Sequence, residues 1–448
     1  MNLSDADVSA PERTPHESLW RSLATLRGNP RAAVWTEPLW GLSMALVMPL
    51  LSLYMLAVGL QDAQIGLLAT INMVAQVFFG LAGGIITDKL GRRVTTAVFD
   101  VVAWVIPSIL WAVSQNFWFF LAASVINGAT QVTANSWDCL MVEDAERGKL
   151  TRIYSLVRVA ADCSALFAPI AAVLVSRLGM EHAGRILMVN AAVVMTIKII
   201  WLYFWSTETA RGRIRMAETR NESFITLLGG YRGALRGVLQ SRGRVLALVI
   251  AALVAAVFLV NTFFWPVIVT ERVGVPEEVV PFFQMVRSLL SMAFFFTIIP
   301  RLTTTVDLKR PVLLGFSVYL VGQLVLLAVP EYYGGISPNT FVLLGVCLLL
   351  DSFGTGMLFM LSESLMALHV DQAERSRVMA LQRVTIMLAA APFGWIAGWL
   401  SGMNRTYPFL LTAALLVTGL ALTATRWVPP RHDTDAEISK ETDLFATT

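Results

Sequence analysis

Apolar runs long enough to cross a lipid bilayer recur along the whole chain, and that repetition constrains the fold more than any other feature. About twenty helical residues span a hydrocarbon core roughly 30 Å thick. Twelve such runs can be drawn, at 35–58, 63–87, 94–113, 117–142, 153–177 and 184–206, then at 245–270, 278–300, 311–329, 339–366, 378–400 and 407–427. Composition agrees: with 56% hydrophobic and 15% charged residues, the chain has more apolar surface than a globular core can hide. Pro49, Pro107, Pro169, Pro266 and Pro392 lie inside the runs and predict bends, which packed membrane helices tolerate. The first 34 residues are polar and mixed in charge, so a cytoplasmic tail is expected there and not a cleavable signal.

Basic residues orient the spans. With the N-terminus inside, twenty-six Lys and Arg fall in inner loops and tails, and four (Arg177, Arg185, Arg272 and Arg405) fall outside. Inner loops carry the basic excess, so both termini are predicted cytoplasmic in the plasma (inner) membrane. The longest inner connection, 207–244, holds eight arginines. Tethered between spans, it suits anionic lipid headgroups better than nucleic acid, and Phe224 to Leu239 could form an interfacial helix.

The connection after the second span reads Gly84-Ile-Ile-Thr-Asp88-Lys89-Leu-Gly91-Arg92-Arg93. Gly84 would let one helix end approach a neighbour, Asp88 would favour the positive N-terminus of a nearby helix, and Gly91 permits a tight turn. Lys89, Arg92 and Arg93 stay on the inner side. This spacing resembles the signature loop between helices 2 and 3 of the major facilitator superfamily, and all six defining positions match. The resemblance covers 35–427 and implies an all-α integral membrane protein, with twelve transmembrane helices in two pseudo-symmetric six-helix bundles. The organisation expected is a tail (1–34), a first bundle (35–206), a basic linker (207–244), a second bundle (245–427) and a tail (428–448).

A shift of 225 positions pairs Leu140 with Leu365, Met141 with Met366, Arg152 with Arg377, Leu156 with Leu381, Arg158 with Arg383 and Val159 with Val384, and Asp138 with Glu363. Apolar matches between membrane helices are cheap, so the charged positions carry the argument for duplication. The second half departs from the family pattern: Asp307, Lys309 and Arg310 stand in the corresponding loop without its glycines. Also missing are the intramembrane arginine expected in helix 4 of the family's drug antiporters and the Gly-rich motif of their helix 5, of which Ala168-Pro169 alone remains. This weakens a drug-efflux assignment.

Cys139, Cys163 and Cys347 fall in spans at no metal-ligand spacing, and the four histidines are scattered. With no phosphate loop and no nucleophile elbow in the sequence, the expectation is a non-enzyme without metal or cofactor. Its expected partners are a small-molecule substrate, protons and membrane lipids, without nucleic acid, and it is expected to act as a monomer.

A charge near the bilayer centre costs a few kcal/mol unless it faces protein or water, roughly 2.5–3.5 on insertion scales. Asp351 and Arg287 lie near the middle of spans 10 and 8 and suit a proton-accepting carboxylate with a cationic partner, or a structural pair that stitches two helices. The resemblance to proton-coupled sugar permeases, which place an acid in helix 10, supports the first. Asp162, one turn beyond Arg158 in span 5, is the alternative proton site, an Arg158–Asp162 pair on one helix face being equally open. Asp100 and Lys198, toward the inner ends of spans 3 and 6, suit structural pairing or snorkelling. Glu37, close to the start of span 1, could face the inner vestibule but stands near the interface.

Span 4 carries Asn127, Gln131, Asn135 and Asp138 on one face. In the family, helices 1, 4, 7 and 10 surround a central cavity, so the stripe looks like cavity lining. Asn261 and Trp265 in span 7 and Ser352 and Thr355 in span 10 would join it, with polar glue between helices as the alternative for each residue. Amides and hydroxyls beside aromatic rings suit a sugar- or polyol-like solute. The duplicated charges suggest a gate in which Asp138 meets Arg383 and Glu363 meets Arg158 across the halves. The function expected is secondary transport by alternating access, coupled to protons. The runner-up, which thirteen tryptophans would permit, is an exporter of amphipathic compounds or drugs.

The topology is testable by labelling. In a background without native cysteines, single cysteines at Gln115 and Tyr332 should react with an impermeant thiol reagent added outside, and cysteines at Gly148 and Glu218 should not. Outside labelling of the second pair would reverse the orientation.

Overall fold

Every regular element among the described residues is helical, as a backbone in lipid requires. The structure, a computed structural model, describes Leu23 and residues 25–146, 149–221, 242–297, 308–332, 337–368 and 375–427. The interfacial helix expected over 224–239, and Asp307, lie outside these residues. Among the described residues, eleven helical stretches are long and apolar enough to cross a membrane. They comprise the twelve expected spans, because the fifth and sixth run on as one stretch, Arg152–Trp205, broken at Gly179. That residue adopts φ +75°, a left-handed conformation open to glycine, so one residue replaces the expected loop.

In chain order the spans are α1 (Gly28–Ala57), α2 (Asp62–Leu90), α3 (Arg92–Ala112), α4 (Phe117–Val142), α5 (150–178), α6 (180–205), α7 (Gly243–Glu271), α8 (Glu277–Thr297), α9 (Lys309–Ala328), α10 (Pro338–Leu368), α11 (Leu381–Met403) and α12 (Tyr407–Arg426). A short linker helix, Ala210–Thr219, follows α6. Helix α1 starts seven residues before its apolar run because Asn29 is held: its side chain donates to the Thr207 carbonyl (2.9 Å) and accepts from the Thr207 N–H (2.8 Å). The spans form two six-helix bundles, and the outer surface is apolar where lipid would touch it, with Trp118, Phe204, Val342 and Trp399 exposed.

Cross-bundle packing concentrates on the face opposite the basic loops. There Val267 of α7 and Val280 of α8 are buried in one cluster with Leu50, Tyr54 and Met55 of α1. Helices α2 and α11 touch backbone to backbone: a Cβ on Gly398 would stand 2.5 Å from the Asp62 carbonyl oxygen, so only glycine fits. Thr70 spans the same contact, donating to the Ala391 carbonyl (2.7 Å) and accepting from the Trp395 N–H (2.8 Å).

One bend explains a polar residue. Pro107 has no N–H to give the Ala103 carbonyl four residues earlier, and α3 passes through a π-turn at Val101–Val105. The orphan carbonyl accepts instead from the Asn127 side chain of α4 (2.7 Å), whose oxygen accepts from Asn72 of α2 (3.0 Å). Asn127 is therefore consumed in packing and does not line a cavity. Asn127→Leu should leave that carbonyl unsatisfied at a cost of about 1–3 kcal/mol, seen as a lower thermal-unfolding midpoint in detergent. An unchanged midpoint would refute this assignment.

Candidate functional site

The acid cluster of the second bundle is assembled by five helices. Gly322 of α9 makes room for it: a Cβ there would lie 2.6 Å from Asp351 Oδ1. Asp351 of α10 is 2% exposed and accepts from Gln323 Nε2 of α9 (3.1 and 3.3 Å) and Cys347 Sγ (3.5 Å). The Gln323 oxygen accepts from Thr412 of α12 (3.0 Å), and its amide also reaches Asn261 Oδ1 of α7 (3.3 Å).

Arg287 of α8 approaches from the other side, with Nη2 3.8 Å from Asp351 Oδ2, beyond a hydrogen bond. Its guanidinium stacks over the Trp265 ring at 4.8 Å, while Nε and Nη2 are sealed without a hydrogen-bond partner. The cation is thus near the acid but not closed on it. Ser352 is 1% exposed with its hydroxyl unpartnered, and Thr355 lies beside the Tyr319 hydroxyl. Asn261, 4% exposed and bonded to Gln323 and the Val257 carbonyl, belongs to this interior network and not to an open wall.

The stripe on α4 faces α2. Gln131 donates to Gln76 (2.8 Å), Gln76 to Asn72 (2.7 Å), and Asn72 to Asn127 and the Ser124 carbonyl (2.8 Å), so four amides form a chain between the helices. Asn135 donates to Thr87 (3.2 Å) and stays exposed, and Gln131 is half-buried. These two keep a side exposed; Asn127 does not.

Of the gate residues, Arg158 bonds Asp162 on its own helix (2.7 Å), the same-helix alternative. Arg158 and Arg383 are exposed, and Asp138 and Arg383 both lie within electrostatic reach of Tyr154. The Glu363 side chain lies outside the described residues. Asp100 and Lys198 do not snorkel: they pair at 2.5 Å with side chains 3% and 4% exposed.

At the signature loop, Gly91 takes φ +84° and lets Glu208 come close. Glu208, after α6, accepts from the Arg92 and Arg93 backbone N–H groups (2.9 Å each), so it serves the positive start of α3 expected to attract Asp88. Asp88 instead meets Arg92 (3.1 Å) and Arg215 of the linker helix (2.8 Å). Arg92, 3% exposed, also reaches Glu143 at the end of α4 (3.0 Å), and Arg93 donates to the Tyr203 carbonyl (2.7 Å). The close approach of α2 to α4 falls on Gly83, one residue before Gly84, where a Cβ would lie 3.3 Å from Val132 Cα. Lys89 follows Asp88 at the end of α2.

Sequence reasoning missed a lock on the opposite face. Asp62, in the first turn of α2, pairs with Arg405 beyond α11 and accepts from Ser401 (2.9 Å), with Glu271 of α7 3.9 Å from the same arginine. The signal was present as the glycines Gly66, Gly394 and Gly398, which bring the two helices together beneath it. A charge-assisted bond of this kind contributes about 1.5–3 kcal/mol. Arg405→Gln should therefore raise the population open on that face, and the thiol-labelling rate of Ala69→Cys beneath the lock, roughly ten- to hundredfold. An unchanged labelling rate would mean that the lock does not hold that face closed.

The sequence pattern of the Major Facilitator Superfamily matches residues 39–329. A quinolone resistance protein, NorA of Staphylococcus aureus, is 29% identical over 87 residues, which is 19% of this chain and 22% of that protein. The match thus spans about a fifth of the length of those curated relatives. Among solved structures, a point mutant of nucleoside transporter NupG superposes with a TM-score of 0.72 at 16% identity, covering 90% of this chain and 100% of that one. A peptide transporter POT in complex with sulfate gives 0.66 at 16% identity, covering 91% and 98%. At such identities these structures share the fold.

Proposed function

The chain belongs to the Major Facilitator Superfamily, and from that premise we propose that it moves a small polar organic solute, sugar- or polyol-like, by alternating access with protons as the coupling ion. It is a multi-pass integral membrane transporter and not an enzyme. The observation that carries the proton reading is the Asp351 cluster: a buried acid held by a neutral amide, with its cation waiting at 3.8 Å. Moving Arg287 onto Asp351, or away from it, changes how well the acid tolerates charge, and both residues sit where helices of the second bundle converge. Gln131, Asn135, Trp265, Ser352 and Thr355 are the groups we assign to the solute, as hydrogen-bonding edges beside an aromatic ring.

The conformation fits one step of the cycle. The Asp62 lock and the α2–α11 contact close one face, while Asn135, Arg158 and Arg383 are exposed toward the basic face. Taking the basic face as cytoplasmic, the carrier is open inward, and Asp138 with Arg383, and Glu363 with Arg158, are the pairs proposed to close it. A second reading, export of amphipathic compounds, is favoured by the local likeness to the quinolone resistance proteins. A thermal-shift screen against sugars, organic acids and cationic dyes separates the two, since a ligand of the folded state raises its stability by mass action.

Once that screen yields a solute, Asp351→Asn should abolish its pH-driven uphill accumulation yet leave counterflow exchange intact, because exchange moves no net proton. Arg287→Ala should impair both. If Asp351→Asn keeps full proton-driven accumulation, the coupling role passes to Asp162, which is paired with Arg158. If neither acid matters, the proton reading fails.

A further inference from the structure

Helix α1 carries a carboxyl that none of the preceding assignments uses. Glu37 is 7% exposed. Among the described residues no hydrogen-bond donor reaches its oxygens, and no base lies within ion-pair distance. Three charged groups face it from neighbouring helices: Lys198 of α6, Asp100 of α3 and Asp138 of α4.

The lysine is already committed. Its Nζ donates to Asp100 Oδ2 at 2.5 Å, and the other oxygen of Asp100 accepts from the Thr133 hydroxyl of α4 at 2.6 Å. That pair is complete, and both its side chains are sealed from solvent. One cation therefore stands against two buried acids, Asp100 and Glu37, and the geometry spends it on Asp100. A second, largely buried carboxylate with no protein donor and no cation of its own holds its charge at a cost. Binding a proton removes the surplus charge and turns the group into a neutral hydrogen-bond donor.

We propose that Glu37 is a proton-exchange site in the first six-helix bundle, separate from the Asp351 cluster of the second. Its small remaining exposure gives the proton a route. Asp138, near the basic-face end of α4 and on the face that carries the exposed Asn135, is within electrostatic reach of Glu37. The part this site plays in coupling rests on the proton-coupled reading above, but its capacity to bind a proton does not. With one exchangeable acid in each bundle, the carrier would hold two proton sites that the alternating motion exposes to the same side.

The probe is the proton itself, so the test needs no knowledge of the solute. Infrared difference spectra between acid and alkaline pH, taken on the full chain in proteoliposomes, report the C=O stretch of protonated carboxyls. Glu37→Gln should remove one buried-carboxyl component that Asp351→Asn leaves in place, and Glu37→Asp, which keeps the acid, should shift that component without abolishing it. The amide bands of each variant report whether the helices have formed, and should Glu37→Gln not fold, the shift in Glu37→Asp decides alone. Spectra of Glu37→Gln that superimpose on the wild type, or of Glu37→Asp that show no shift, would overturn the proposal. Loss of the component in Asp351→Asn alone would overturn it while supporting the Asp351 reading. The reverse pattern would support Glu37 and count against Asp351.

Discussion

A backbone buried in lipid can bond only to itself or to neighbouring helices, and the rest of this structure follows from that restriction. Where a proline removes an N–H, some other group must satisfy the freed carbonyl. Asn127 does so for the carbonyl that Pro107 orphans in α3, and in doing so it fixes α4 against both α3 and α2. The same restriction makes glycine valuable where helices cross. At Gly66 and Gly398 the backbones of α2 and α11 meet so closely that the two bundles join without side chains between them. Polar atoms at the crossing are then matched one by one, as Thr70 does by accepting from one backbone group and donating to another.

Charges obey the same rule more severely, and the two bundles handle it differently. In the first, Asp100 and Lys198 close at 2.5 Å and Thr133 satisfies the remaining oxygen, so that this pair has nothing to exchange. In the second, Asp351 takes its bonds from Gln323 and Cys347 while Arg287, stacked over Trp265, stands 3.8 Å from the acid with two nitrogens unused. A tight, complete pair is a fastener. A loose pair with unspent donors can change partners at small cost, and conformational switching needs groups of that kind.

How much of this could be read from the sequence depends on whether a feature is local. Span number and the position of the signature loop were legible, because hydrophobic length and a fixed spacing are properties of consecutive residues. The fused fifth and sixth spans were not, since one glycine at positive φ did the work of a loop that the polarity of 178–183 suggested. The α4 stripe was legible as one face, but its partner was not: which neighbour a polar face meets is decided by packing, and here much of it meets Asn72 and Gln76 of α2. Gln323 was missed for the same reason. A lone amide in an apolar run has no spacing to betray it, yet it holds Asp351, Asn261 and Thr412 together.

The signature loop shows how a motif can match while its residues trade duties. Asp88 was expected at the start of a helix, but Glu208 occupies the N–H groups of Arg92 and Arg93, and a carboxylate cannot add to donors already taken. Asp88 is left with Arg92 and with Arg215 of the linker helix. Glu143 closes the circuit by accepting from Arg92 and from Thr209 (2.6 Å), so α2, α3, α4 and the start of the linker are bonded into one block. A rigid end on the basic face suits the rigid-body rocking of the first bundle that the proposed alternating access needs. The second bundle lacks these glycines in its corresponding loop, so its stiffness must come from elsewhere, and the Gln323 network joining α7, α9, α10 and α12 is placed to supply it.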